Sequence, residues 1–339
     1  YMDVDVFHGI VKNFKKLTGI DLGLVQSRAP GETRLPPGST LVQLRHHAGS
    51  PTFHLIGKSR LSAAQLPGLR GQVSQLNRPL IMAEYISTES RRQLKQWQIS
   101  YLDAGGNAFL KNKEVLVYVE TGKNHAPPVH KNNRAFGKAG LKVIYQALLN
   151  PVILNQPYRQ IGQRAMVTID TVGKVIRALL EHKYLVKVDR RNYRLVRREQ
   201  LFFEWVTLFN RVLRPKLKQR RYQLLVPSVN LSELPLAAES VWGGEVAAQQ
   251  LGATLLPERV IIYTALPFTD IMQKWRLLPS EVGNITLFEA LWRFDHDRAD
   301  QPEKAPSPVL TYADLLYQAT PRSLEAAEQI YQTHVQTNL

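Results

Sequence analysis

The sequence predicts a mixed α/β (α+β) fold in three segments, and three observations carry that expectation. Strand-like alternation and helical periodicity are interleaved along residues 40–120. The clearest 3.6-residue stripes crowd into the middle of the chain, where two more strand-like runs follow them. Charge divides the 339 residues as sharply as pattern does. Residues 1–130 hold 16 basic and 9 acidic side chains, residues 131–221 hold 21 and 5, and residues 222–339 hold 7 and 14. The middle segment's net +16 equals that of the whole chain. The expected domains are therefore 1–130, 131–221 and 222–339. Charge concentrated in this way predicts a polyanionic partner, because neutralised phosphates release condensed counterions.

Composition narrows the classes further. With 44% apolar residues the chain can bury real cores. It has no cysteine, which excludes disulfides, thiolate zinc sites, iron–sulfur clusters and a cysteine nucleophile. No run approaches the ~20 apolar residues that span a bilayer, so no membrane partner is expected. No signal peptide opens the sequence, Met2 reads as the native start, and the expected compartment is the cytoplasm.

In the first segment, Leu41-Val42-Gln43-Leu44 and Phe53-His54-Leu55-Ile56-Gly57-Lys58 read as strands about a turn at Gly49–Pro51. A strand over Leu80–Ile86, a helix over Thr88–Trp97 and two short strands around Tyr101–Leu110 and Val115–Glu120 follow. The first forty residues receive no assignment. A strand hairpin ending in lysine, then helix, strand and helix, resembles the PD-(D/E)xK nuclease core, a restriction-endonuclease-like fold. There an Asp and the acid of a (D/E)-x-K tripeptide hold the metal. Here the tripeptide slot reads Ile56-Gly57-Lys58, and Leu35-Pro36-Pro37-Gly38-Ser39 upstream supplies no acid. Mg²⁺ needs charged oxygen ligands, so a degenerate domain without catalytic residues, metal or cofactor is expected.

Other acids and histidines are weaker candidates. Asp103 is expected to be a turn residue before Gly105-Gly106 and Glu120 a strand end, with Glu120-Thr121-Gly122-Lys123 one residue too long for an acid–lysine unit. His46, His47 and His54 cannot converge easily, since neighbours on a strand point to opposite faces. Asp295-His296-Asp297 lies in a polar, Pro-flanked stretch. No Walker loop and no G-x-G-x-x-G run is present.

In the middle segment, Leu141, Ile144, Tyr145 and Leu148 define one helix, stopped at Asn150-Pro151. Pro157 opens a second, Tyr158–Ala165, with Ile161 inward. After a turn at Met166–Ile169, with Thr168 or Asp170 as N-cap, a third helix over 170–182 buries Val172, Val175, Ile176, Leu179 and Leu180. Its open face shows Thr171, Gly173, Lys174, Arg177 and Ala178. Strand-like Tyr184–Val188 and Tyr193–Val196 flank the polar tip Asp189-Arg190-Arg191-Asn192. Helix, helix, turn, helix and basic hairpin is the order of a winged helix-turn-helix. Arg164, Thr168, Thr171, Lys174 and Arg177 are the expected contacts at the groove, with Arg190, Arg191, Asn192 and Arg194 on the wing. A fourth helix, Glu199–Leu213, carries the stripe Leu201, Phe202, Trp205, Leu208, Phe209 and Val212. It ends in the basic run Arg211, Arg214, Lys216, Lys218, Arg220 and Arg221.

The last segment is expected to be a mixed α/β domain. Gly243-Gly244 reads as a tight turn at a helix start, with Val246, Ala247 and Leu251 behind it. A final helix over Ser323–Gln336 buries Leu324, Ala327, Ile330, Tyr331 and Val335.

Three stretches carry a family resemblance. Ala83-Glu84-Tyr85-Ile86-Ser87 with Tyr101–Phe109, then Asn133–Lys142, then Trp242–Ala248 with Tyr263-Thr264 and Leu310–Leu316 resemble the AbiEi antitoxins of type IV toxin–antitoxin systems. The resemblance implies a repressor of its own promoter that counters a nucleotidyltransferase-like toxin without requiring a stable complex, so the toxin is a direct or indirect partner. The acidic segment would then carry the antitoxin activity, separable from DNA binding if each domain folds alone. Two alternatives stay open: a stand-alone winged-helix regulator, and a divergent metal-dependent nuclease using Asp103 and Glu120.

Overall fold

The computed structural model describes residues 4–25, 40–45, 51–113, 115–122, 134–189, 192–224, 235–294 and 306–338. The chain separates into two compact units, Tyr1–Lys131 and Asn132–Leu339. It is a mixed α/β protein, and among the described residues no helix is long and apolar enough to cross a membrane.

The first unit is one seven-stranded sheet whose spatial order follows the chain: β1 (Asp21–Leu24), β2 (Thr40–Arg45), β3 (Thr52–Leu61), β4 (Pro79–Ile86), β5 (Ser100–Asp103), β6 (Ala108–Lys111) and β7 (Leu116–Val119). β3, β4 and β5 run parallel, and the remaining neighbours pair antiparallel. Parallel neighbours need crossovers. Helix α2 (Leu66–Ser74) joins β3 to β4, and α3 (Thr88–Gln96) joins β4 to β5. Helix α1 (Val4–Thr18) sets Phe7, Ile10 and Phe14 at i, i+3, i+7 against Val42, Leu44, Leu80 and Met82. The alternate residues of β4, Ile81 and Ala83, pack with Leu69, Val73 and Leu94 of α2 and α3. The sheet is therefore covered on both faces.

In the second unit, α4 (Lys138–Leu149), α5 (Tyr158–Ala165) and α6 (Ile169–Glu181) precede a hairpin of β8 (Leu185–Lys187) and β9 (Tyr193–Leu195). Helix α7 (Arg198–Leu208) runs into a π-helical turn, Phe209–Leu213. A five-stranded sheet follows, in spatial order β11 (Ser240–Gly243), β12 (Val260–Thr264), β14 (Ile285–Glu289), β10 (Gln219–Leu224) and β13 (Leu277–Pro279). Only β12 and β14 are parallel in it. Helices α8 (Gly244–Gln250) and α9 (Phe268–Lys274) bury Val246, Ala247 and Ile271 on one face with Trp242, Trp275, Ile262 and Leu287. Helices α10 (Pro308–Gln318) and α11 (Pro321–Ile330) close the chain, the latter running into a second π-helical turn, Tyr331–Val335.

Helix α7 is shared between both halves of this unit. Its Trp205 Nε1 donates to the Leu141 carbonyl of α4 at 2.8 Å, while Phe202 and Phe203 pack on Tyr312 of α10 and on Tyr331. The boundary expected between 221 and 222 falls inside β10. The π-helical turn also shifts the apolar stripe. One extra residue per turn rotates everything downstream, so Val212 is half-buried while Leu213 and Arg214 are buried.

Candidate nucleic-acid interface

The turn between α5 and α6 is built from local chemistry. Gly162 permits it: a Cβ there would sit 2.8 Å from the Val167 carbonyl, and the Val167 amide donates to the Gly162 carbonyl at 2.9 Å. Met166 ends α5 in the left-handed region at φ 54°. Thr168 caps α6, its hydroxyl accepting from the Thr171 amide at 3.3 Å and lying 2.8 Å from the Thr171 hydroxyl. Between the two N-cap readings, the structure selects Thr168, and Asp170 falls in the first turn, where its charge complements the helix dipole.

Behind that turn Val172, Val175, Ile176 and Leu179 are buried, with Leu180 half-buried. On the other side Thr171, Gly173 and Lys174 are half-buried and Arg177 is exposed. Ala178, expected on the open face, is instead buried, because it sits at the margin of the core stripe. Lys174 is ion-paired with Asp170 one turn back, both partners being partly exposed. Such a pair is worth at most ~0.5 kcal/mol and is easily exchanged for a phosphate. Arg177 lies near Tyr158, whose hydroxyl is hydrogen-bonded with Tyr193. Burial and the Tyr193 hydroxyl push the Tyr158 hydroxyl up, and the Arg177 charge opposes that shift.

Arg164 is half-buried at the end of α5, and its carbonyl accepts from the Arg293 amide at 3.1 Å. That bond ties the turn to the segment after β14. Asn192 and Asp189 close the hairpin tip, the Asn192 amide reaching Asp189 Oδ1 at 2.9 Å and its Nδ2 reaching Oδ2 at 2.7 Å. Arg194 is exposed on β9, and the neighbouring Tyr193 amide donates to Asn155 at 2.7 Å. Arg190 and Arg191 lie outside the described residues. Thr171, Lys174 and Arg177 thus share one helix, capped by Thr168, and Arg194 lies on hairpin strand β9.

A second constellation was not foreseen. Asp314 of α10, fully buried, accepts from Arg214, from the Tyr263 hydroxyl at 2.7 Å and from the Gly244 amide at 2.9 Å. Only a glycine admits this approach at 243, where a Cβ would lie 2.6 Å from the Asp314 carboxylate. Arg214 also donates to Asn210 at 2.8 Å and lies over the rings of Phe209, Phe288 and Tyr317. It is 1% exposed, so it does not belong to the basic surface run in which the sequence sets it. Alongside, buried Glu245 accepts from Arg322 at 3.1 Å and from the Glu258 amide at 2.6 Å. Nothing local signals the convergence, although its parts, Trp242–Ala248, Tyr263 and Leu310–Leu316, are the stretches that carry the family resemblance.

In the first unit Asp103 is buried. Its carboxylate accepts from the Asn107 amide at 2.9 Å and the Asn107 side chain at 2.9 and 3.0 Å, and it faces Arg91 at 3.5 Å. Burial pushes its carboxyl up, with Asn107 and Arg91 acting in the opposite sense. Glu120 is exposed and accepts from Tyr118 at 2.6 Å. His54 is half-buried on β3, whereas His46, His47, Lys123 and Asp295-His296-Asp297 lie outside the described residues. Among the described residues no three His, Asp or Glu side chains are grouped to hold a metal.

Residues 194–336 match the family described as "Transcriptional regulator, AbiEi antitoxin, Type IV TA system". Over this segment, somewhat less than half of the chain, the protein is similar to the AbiEi antitoxin family. The span begins within β9, after α5 and α6, and takes in α7, the second sheet and the Asp314 constellation. No curated protein and no solved structure matches the chain.

Proposed function

We propose that the chain is a DNA-binding autorepressor and antitoxin of a type IV toxin–antitoxin (abortive infection) system, countering a nucleotidyltransferase-like toxin of the same operon. Residues 131–221 are its winged helix-turn-helix domain, with α6 as the helix that enters the major groove and β8–β9 as the wing. The observation that carries this reading is α6 itself: a helix set on α5 by a three-residue turn, one face in the core, the other offering Thr171, Lys174 and Arg177. The excess of 21 basic over 5 acidic residues in 131–221 supports the same partner.

The first unit is read as a nuclease-like scaffold without catalysis. Lys58 stands in register with Ala83 and Asp103 across β3, β4 and β5, but the Asp103 carboxylate is taken up by Asn107 and Arg91. Residues 222–339 are read as the part that opposes the toxin, since most of the family match lies there. A gel-shift titration of the full chain on its own upstream DNA tests the central point. Binding preferred over unrelated duplex of equal length is expected, and equal affinity for both overturns the operator-specific reading.

A further inference from the structure

Two large apolar side chains stand where a groove-entering helix would meet base edges. Met166, the left-handed residue of the turn, is 49% exposed, and Ile169, the first residue of α6, is 53% exposed. Neither position is forced by the fold. Val172, Val175, Ile176 and Leu179 already fill the core side of α6, and Ile161 and Ala165 that of α5. Between them lies Thr168, with Thr171 and Lys174 on the next turn. This is a pair of isolated methyl-rich side chains set among hydroxyls and a cation. Such a surface is too small and too polar for a stable protein interface. It matches the major-groove edge of a base pair bearing both hydrogen-bonding atoms and a methyl group, which in DNA means thymine.

We infer that Ile169 and Met166 read thymine 5-methyl groups in the operator, while Thr171, Lys174 and Arg177 supply polar and phosphate contacts around them. The inference rests on the DNA-binding reading above and adds a chemical preference to it. The N-terminal residues of the recognition helix are the ones that approach base edges, and residue 169 is the first of them. A methyl removed from water is worth about fourfold in affinity, so one or two contacts predict about a 4- to 16-fold preference for methylated bases.

The experiment uses the full chain and the upstream duplex amplified with either thymidine or deoxyuridine triphosphate, which differ only in that methyl. The wild type is expected to bind the uracil duplex about 4- to 16-fold more weakly. Ile169→Ala and Met166→Ala, both at exposed positions, are each expected to weaken binding to the thymine duplex and to narrow its advantage over uracil. Equal wild-type affinity for the two duplexes, with preference over unrelated DNA intact, overturns the inference while leaving the DNA-binding reading standing. So does full thymine discrimination in the Ile169→Ala, Met166→Ala double variant. No preference for the upstream duplex over unrelated DNA overturns the underlying reading instead.

Discussion

Asp314 gives the sharpest stability prediction, because its partners come from three distant parts of the chain. Arg214, Tyr263 and Gly244 all donate to this one buried carboxylate. Asp314→Asn keeps the shape and one acceptor oxygen but removes the charge opposite a guanidinium that is 1% exposed. An uncompensated buried charge costs about 3–5 kcal/mol. For a cooperative unit of roughly 200 residues, each kcal/mol lowers Tm by about 2–4 °C, giving a drop of roughly 6–20 °C. Arg214→Met, which strands the carboxylate, is expected to cost a similar amount. The double variant strands neither charge and leaves mainly imperfect hydrogen bonds to Tyr263 and Gly244, at about 1–3 kcal/mol. Thermal and urea unfolding of the four proteins therefore show strongly non-additive costs. Single variants within ~1 kcal/mol of wild type, or costs that add to within ~0.5 kcal/mol, would refute the reasoning.

Three further outcomes follow from the same contacts. A chain ended at residue 221 strips Tyr312 and Tyr331 from Phe202 and Phe203 and leaves Arg214 without Asp314. It is expected to lose cooperative unfolding and upstream-DNA binding together, so wild-type binding by this fragment would contradict the shared role of α7. Arg177→Ala should weaken DNA binding across sequences and lower the salt slope by about 1, measured by anisotropy at several salt concentrations. An unchanged slope removes Arg177 from the phosphate footprint. Finally, burial pushes the hydroxyls of Tyr145, Tyr263, Tyr312 and Tyr331 well up and that of Tyr101 up to about 12. With folded values above the unfolded value of 10, their contribution is complete below pH 10 and is lost as pH rises through the folded values. Tyrosinate absorbance for these five is expected to rise in step with loss of circular dichroism, and their ionisation near pH 10 in a still-folded chain would falsify it.

Much of the central segment was legible in sequence because its helices are amphipathic and its stops are local. Leu141, Ile144, Tyr145 and Leu148 are all buried in α4, Asn150-Pro151 ends that helix, and Thr168 caps α6. Helix α1 receives no assignment from the sequence although Phe7, Ile10 and Phe14 carry its period. Helix α2 is harder, since Pro67, Gly68 and Gly71 speak for a loop and only burial of Leu66, Leu69 and Val73 overrides them. The strand expected across Tyr101–Leu110 is two strands, β5 and β6, divided at Gly105–Asn107. Arg214 is buried instead of joining the basic run because a π-helical turn changes helical phase without any local mark in the sequence. The meeting of Gly244, Tyr263 and Asp314 is a tertiary fact, invisible to any window of residues.

Specific DNA binding is the central claim, and one titration addresses it most directly. The full chain is measured against its own upstream duplex and against a scrambled duplex of the same composition, over a range of salt. Preferred binding to the upstream duplex, with a salt slope that falls in Arg177→Ala and in Arg190→Ala with Arg191→Ala, is the predicted result. Equal binding to both duplexes, or a salt slope untouched by all three substitutions, contradicts it.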